Sequence, residues 1–157
     1  MFDFADPVLV ALARDLHAAL SPAGVVIVRA RPDVIEVLAS TGNPLGWSFG
    51  EQVAPGDTIS HHVVEMDREL IIDDAFAHPL VRDSVSVTGC GVASYVGMPY
   101  HAEGRVIGVL ALVDIHARVW EDWEIDTMRA AARRLDEMAE TRAAPARGTG
   151  TGPGGTE

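Results

Sequence analysis

The chain has 157 residues, 48% of them hydrophobic, and a formal net charge of −11 at pH 7. This length predicts one domain, in which roughly two thirds of the unfolded surface is buried. The acidic charge argues against a surface for nucleic acid or anionic membrane, and all twelve basic residues are arginine. With Cys90 as the single cysteine, no intramolecular disulfide can form, and we expect a cytoplasmic protein. The acidic N-terminus does not resemble a signal peptide, and no apolar run approaches the ~20 residues of a membrane span.

The first part of the chain predicts a helix, then a hairpin, then a long loop. Asp6 and Pro7 are typical of a helix start, and apolar residues recur at helical spacing as far as Leu20. Residues 24–30 and 34–41 are two strands of a hairpin. Residues 42–56 have no clear period, and a loop of that length in a compact domain favours a functional role.

A short helix is expected over residues 59–66. At roughly 100° per residue, His62 falls on its apolar side and His61 on the opposite side. Because neighbouring residues diverge in this way, the pair is not expected to bind one metal ion. A short strand over residues 69–72 and an irregular segment over residues 75–91 follow.

The strongest pattern is a second hairpin, formed by residues 92–101 and 105–114. Its turn falls at Glu103 and Gly104, where a tight hairpin needs positive φ. Both alternate sets of the second strand are apolar, with Ile107, Val109, Ala111 and Val113 on one face and Val106, Leu110 and Leu112 on the other. Such a strand must be covered on both faces, by helices on one and by loops on the other, and the loop side favours a pocket.

The chain ends in a predicted helix over residues 121–142 and a tail over residues 143–157. The helix carries an apolar stripe and has acidic residues in its first turns. The tail is rich in Gly, Thr, Pro and Ala, so we expect it to be disordered. The expected organisation is therefore one domain over residues 1–142 followed by a disordered tail.

Several motifs in the second half together resemble the GAF domain, a family of small-molecule-binding sensory domains. These motifs are Asp73-Asp74, His78-Pro79 with Asp83, Gly91 with Ser94-Tyr95, Gly97 and Pro99, Gly104 with Gly108 and Leu110, and Trp120-x-x-Trp123-Glu124. The resemblance covers most of residues 5–141. It implies an α+β fold: a central antiparallel sheet of about five strands, with the N- and C-terminal helices on one face. Pocket-forming loops and short helices cover the other face.

Two details bear on this fold. Pro99 falls inside a predicted strand, and it predicts a bulge or a position where no N–H is needed. A PAS-type sensor is the closest alternative fold, but its order of strands and helices fits the chain less well.

The resemblance implies a sensory or dimerising module, and each specialised type of member needs its own residues. Members that bind cyclic nucleotides carry a signature containing lysine, which this chain lacks. Covalent bilin is also disfavoured, because Cys90 is followed by glycine rather than histidine. Members that reduce free methionine sulfoxide need several cysteines, so we expect no catalysis. Haem needs an axial histidine; His62 and His78 are available, but residues 89–91 offer none.

The candidate ligand-binding residues come from the loop side and from the first strand of the second hairpin. They are Trp47, His62, Met66, Asp74, Phe76, His78, Cys90 and Tyr95. Each also has a structural interpretation, for example a turn for His78 and a cap for Asp74. We expect no catalytic residue and no metal ligand, and we leave the cofactor open as a non-covalent small molecule.

The favoured hypothesis is a non-catalytic sensor that binds a small molecule between sheet and loops. Binding would shift the loop population and repack the terminal helices. The main alternative is a ligand-free dimerisation or protein-docking module, and a weaker one is a redox sensor at Cys90. We expect a homodimer through the terminal helices, although Ala130, Arg133, Arg134 and Glu137 interrupt the apolar outer face of the last helix. A signalling protein is a further expected partner; nucleic acid and membrane are not.

Overall fold

A computed structural model describes residues 2–42, 45–46 and 50–149, with the backbone alone for residues 57 and 143–149. The elements in chain order are α1 (Pro7–Leu20), β1 (Gly24–Ala30), β2 (Ile35–Thr41), β3 (Gln52–Val53), α2 (Ser60–Met66), β4 (Leu70–Ile72), α3 (Val85–Thr88), β5 (Ser94–Ala102), β6 (Arg105–Asp114) and α4 (Asp122–Thr149). Short 3₁₀ turns lie at Pro55–Asp57 and Ala75–Ala77. Within these residues, no helix has both the length and the apolar composition needed to cross a membrane.

The strands form one sheet in the order β3-β2-β1-β6-β5-β4, and every neighbouring pair is antiparallel. The predicted α+β fold is confirmed, with six strands where about five were expected. The additional strand, β3, lies in the predicted loop over residues 42–56 and pairs with Ile35 and Glu36 at the edge of the sheet. Two residues are too few to show a period, so the sequence alone does not predict this strand.

The hairpin of β5 and β6 has the predicted turn, with φ of 53° at Glu103 and 76° at Gly104. Its register shifts between Tyr100, which pairs with Gly108, and His101, which pairs with Val106. Ile107 therefore has no partner on β5 and forms a bulge. The irregularity expected at Pro99 lies just beyond it, and β4 pairs with β5 only as far as Gly97.

Because of the bulge, the first residues of β6 lie on the faces opposite to those predicted from strict alternation. A bulge residue shifts the alternation of side chains by one position. Ile107 consequently packs against the core on the helix side instead of sharing a face with Val109. Val106 lies instead on the loop side, in a surface cleft that also contains His61. The prediction for these two residues was wrong, whereas Leu110 and Leu112 do lie on the face opposite Val109.

Two apolar cores cover the two faces of the sheet. On the helix side, α1 and α4 pack on residues such as Leu110 and Leu112. On the loop side, residues of α2 and α3 pack on Val109, Ala111 and Val113. The double cover predicted for β6 is confirmed, and the loop-side layer is thin and built from short elements.

The terminal helices are joined at their ends. The Asp6 carboxylate caps α1 by accepting a hydrogen bond from the Val8 N–H at 3.0 Å, as predicted, and it also pairs with Arg142 on α4. The Arg142 guanidinium holds the pKa of Asp6 below its usual range. α4 ends at Thr149, beyond the predicted end at Arg142. The domain boundary at residue 142 stays a prediction, and residues 150–157 lie outside the described part.

Candidate ligand pocket

A small cavity lies between the sheet and the loop-side layer, where the double cover of β6 predicts a pocket. Side chains of β1, β5 and β6 form its floor, and residues of α2, α3 and neighbouring loops form its roof. The described lining residues are Val26, Leu45, Ile59, Ser60, Ser86, Val92, Tyr95, Ala111 and Val113. The lining is thus mostly apolar with three hydroxyl groups, which is the usual composition of a small-molecule site.

The cavity is nearly filled in this conformation. The volume open to the centre of a water molecule is about 10 Å³, which is roughly the minimum for one water. Ligand pockets for drug-sized molecules usually have ~300–1,000 Å³. A ligand larger than water therefore enters only if part of the thin loop-side layer moves.

Tyr95 is the main polar group of the cavity. Its side chain is 2% exposed, and its hydroxyl lies 2.9 Å from Ser60 Oγ. Gly97 makes room for it, since a Cβ at that position would lie 2.4 Å from the Tyr95 hydroxyl oxygen. Burial raises the pKa of Tyr95, with the Ser60 hydrogen bond opposing it. The accessible wall of the cavity is therefore apolar and uncharged, because the Tyr95 and Ser60 hydroxyls bond to each other.

Most of the other candidate ligand residues have local structural roles. The Asp74 carboxylate accepts a hydrogen bond from the Phe76 N–H at 3.2 Å, and so caps a 3₁₀ turn. His78 Nδ1 accepts one from the Leu80 N–H, also at 3.2 Å. The Phe76 and Met66 side chains are 56% and 40% exposed. None of these four residues lines the cavity, so the capping and turn interpretations describe Asp74 and His78 better.

The last three candidates are Trp47, Cys90 and His62, and no common structural role describes them. Trp47 lies outside the described residues. Cys90 is half-buried, with Sγ 3.9 Å from the carbonyl oxygen of Leu45, so it borders the cavity through a lining residue. His62 is half-buried on α2. Burial lowers the pKa of His62, and the neighbouring His61 lowers it further by a smaller amount. Burial therefore favours the neutral form of the His62 imidazole.

Two serines of the cavity are not among the residues predicted from the sequence. Ser60 and Ser86 lie at the starts of short helices and are buried, at 7% and 4% exposure. A serine at a helix start is usually a cap, so neither residue gives a binding signal in the sequence. Ala111 and Val113, in contrast, follow directly from the alternation of β6.

The predicted divergence of His61 and His62 was wrong. Their ring centroids lie 3.9 Å apart with an interplanar angle of 38°. The Cα–Cβ bonds of neighbouring helical residues do point in different directions, but the His61 ring turns back to the Thr58 carbonyl oxygen, which it contacts through Nδ1. Side-chain rotation therefore brings the rings together, and potential metal-ligating atoms of His61, His62 and Glu65 all lie within 4.8 Å of one another.

His101 connects the loop-side layer to α4. Its Nε2 lies 2.6 Å from an Asp67 oxygen at the end of α2, and its Nδ1 lies 3.2 Å from an Asp136 oxygen on α4. The His101 backbone N–H donates to the same Asp136 oxygen at 2.6 Å. Burial lowers the pKa of His101, but the two carboxylates outweigh it and the net shift is upward. No pattern in the sequence indicates this bridge, because its three residues come from separate elements.

Comparisons with known proteins agree with this architecture. A family model described as the GAF domain matches residues 5–136. No curated protein matches the sequence. Among solved structures, the GAF domain of a phosphoenolpyruvate-protein phosphotransferase from Coxiella burnetii is similar, with a TM-score of 0.72 and 18% identity over 93% of this chain and 87% of that one.

Two further structures show the range of proteins with this fold. Residues 122 to 287 of a methyl-accepting chemotaxis protein give a TM-score of 0.70 at 23% identity, over 85% of this chain and 87% of that one. A free methionine-R-sulfoxide reductase from Neisseria meningitidis gives 0.69 at 19% identity, over 86% and 78%. At such identities these likenesses show the fold alone. The family match over most of the chain shows more: the chain belongs to the GAF domain family.

Proposed function

We propose that this GAF domain is a non-catalytic cytoplasmic sensor that binds a small molecule in the loop-side cavity and signals through its terminal helices. The proposal rests mainly on a series of contacts that connects the cavity to the last helix, α4. The wall of the cavity includes α2, and α2 is tied to α4 by His101.

The cavity suggests the chemistry of the ligand. Among the described lining residues none is charged, and the polar groups are the hydroxyls of Ser60, Ser86 and Tyr95. A small, neutral and apolar molecule fits this lining, because the described lining residues expose no polar atom to the cavity. Binding would select conformations in which the loop-side layer stands further from the sheet, which is a population shift.

The route of the signal follows α2. Ser60 is the first residue of this helix and lines the cavity beside Tyr95, while Asp67 follows the last residue and contacts His101. A seven-residue helix is about 10 Å long and moves as a unit. A displacement at Ser60 would therefore alter the contact of Asp67 with His101, and through His101 the position of Asp136 on α4.

The non-catalytic part of the proposal depends on the cysteine content. The reductases among the structural neighbours are enzymes that act on free methionine sulfoxide. A reductase that oxidises its own thiol needs a second thiol to resolve the product. Cys90 is the single cysteine of this chain, so it has no such partner within the chain.

A ligand-free dimerisation or protein-docking module is the second candidate, favoured by the small volume of the cavity. Both candidates include pairing of two copies through α1 and α4, and a signalling protein as the next partner. They differ in one respect: the sensor gains stability from a small molecule, whereas the module responds to protein concentration alone.

Native mass spectrometry distinguishes the two candidates. The protein is incubated with a small-molecule cell extract, desalted and measured beside a denatured control, with an absorption spectrum of the same sample. The sensor predicts a discrete non-covalent mass increment that is lost on denaturation. A clean apo mass, with a dimer peak and no absorbance in the visible range, favours the ligand-free module.

A further inference from the structure

We propose that His61, His62 and Glu65 form a binding site for a divalent transition-metal ion of the zinc class on the surface of α2. The primary observation is convergence. Potential ligand atoms of the three side chains lie within 4.8 Å of one another, and the two imidazole rings are 3.9 Å apart. This site is separate from the cavity, since none of the three residues lines it.

The His61 ring is held in the orientation that a metal ligand needs. Its Nδ1 contacts the Thr58 carbonyl oxygen, which only accepts hydrogen bonds, so Nδ1 carries the hydrogen. In the neutral ring the lone pair then lies on Nε2 and is available to a metal. A backbone carbonyl bound to the second ring nitrogen is the usual way in which proteins orient a metal-ligating histidine.

Thr58 is itself fixed, so the orientation of His61 has a rigid support. Thr58 is 1% exposed, its hydroxyl donates to the Pro55 carbonyl oxygen at 2.8 Å, and its Oγ1 accepts from the His61 N–H at 3.1 Å. His61 is thereby held by both its ring and its backbone. His62 and Glu65 supply the other two donors from the same helix.

The donor set indicates which metal is bound. Two imidazoles and a carboxylate are typical of zinc sites and of other first-row divalent ions, whereas Ca²⁺ and Mg²⁺ prefer oxygen ligands alone. Three protein ligands leave at least one coordination position open. His61 and Glu65 border a surface cleft that Arg31 and Arg105 also line, so water or a small anion can occupy that position.

The test is a zinc titration of the full chain, prepared without a histidine tag and in competition with a chromophoric chelator. We expect one Zn²⁺ per chain and at least a tenfold loss of affinity in His62→Gln and in Glu65→Gln. His116→Gln is the matched control, because His116 is exposed and lies outside the cluster; it should bind zinc as the unaltered protein does. Circular dichroism of each variant checks that it is folded.

Substitution of Co²⁺ gives a second readout, since cobalt in a low-symmetry protein site has visible absorption bands that His62→Gln should abolish. The proposal is overturned if the unaltered protein binds no zinc. It is equally overturned if His62→Gln and Glu65→Gln retain full affinity, or if His116→Gln loses as much affinity as they do, because binding is then adventitious.

Discussion

Tyr95 and Ser60 form the polar contact of the cavity, and both side chains are buried. Removing the phenol hydroxyl in Tyr95→Phe leaves the serine hydroxyl without this partner in an apolar site. We expect Tyr95→Phe to lower the free energy of unfolding by about 1–3 kcal/mol, measured by urea denaturation. The paired variant Tyr95→Phe with Ser60→Ala should cost less than the sum of the two single changes. Additive costs would show that the two hydroxyls do not interact.

Gly97 is close to the same tyrosine, and its role is steric. A Cβ added to it would lie 2.4 Å from the Tyr95 hydroxyl oxygen and 2.6 Å from a ring carbon. Gly97→Ala should therefore displace the ring and lower the free energy of unfolding by about 1–3 kcal/mol. Gly56→Ala is the control, because nothing lies within 4 Å of a Cβ added there. Equal stability of the two variants would contradict this account.

At the scale of elements, most of the fold is predictable from the sequence. The longer strands and the first helix are specified by local periodicity and by end signals such as Asp6, and their predicted bounds match the structure closely. The four-residue helix α3 is too short to show a period, and it lies in the segment predicted to be irregular. The two-residue strand β3 and the bulge at Ile107 escape prediction because pairing between strands, rather than local periodicity, determines them.

The candidate site is less predictable than the fold, again for a physical reason. Tyr95 belongs to a strand whose alternation is visible in the sequence, whereas Ser60 and Ser86 reach the cavity only through the packing of short helices on the sheet. The His61 and His62 contact depends on side-chain rotation, which helical geometry alone does not determine.

The bridge between α2 and α4 gives a prediction about pH. The pKa of His101 is raised in the folded state, so its contribution to stability is complete below the unfolded pKa of 6.5 and is lost as pH rises through the folded pKa. Between about pH 6 and about pH 9, the unaltered protein should lose more stability than His101→Gln does. Because the His101 and Asp67 side chains are partly exposed, we expect a difference of only ~0.5–1 kcal/mol.

Urea unfolding at both pH values measures this difference, and Asp67→Asn should reproduce part of it. If His101→Gln has the same pH dependence as the unaltered protein, the bridge does not contribute to stability and the proposed route to α4 loses its support.

For the whole molecule, the expected dimer depends on exposed apolar residues of the terminal helices. Val8 on α1 is 42% exposed, and Leu80 on the loop side is 43% exposed. If two copies pair through α1 and α4, Val8→Glu should shift the protein towards the monomer at a given concentration, because a carboxylate is costly to bury. Leu80→Glu should leave assembly unchanged. Light scattering after size-exclusion chromatography measures both, and equal effects of the two changes would contradict pairing through the helices.

If the loop-side cavity is the ligand site, filling it with a side chain should prevent ligand binding. Ala111 is 3% exposed on the floor of the cavity, and Ala130 is exposed on α4, so Ala111→Leu and Ala130→Leu add the same atoms at different places. The measurement is native mass spectrometry of the unaltered protein and both variants after incubation with the same cell extract. We predict that the unaltered protein and Ala130→Leu retain a discrete small-molecule mass, and that folded Ala111→Leu does not. Retention of that mass by Ala111→Leu, or its absence from all three proteins, would contradict ligand binding in the cavity.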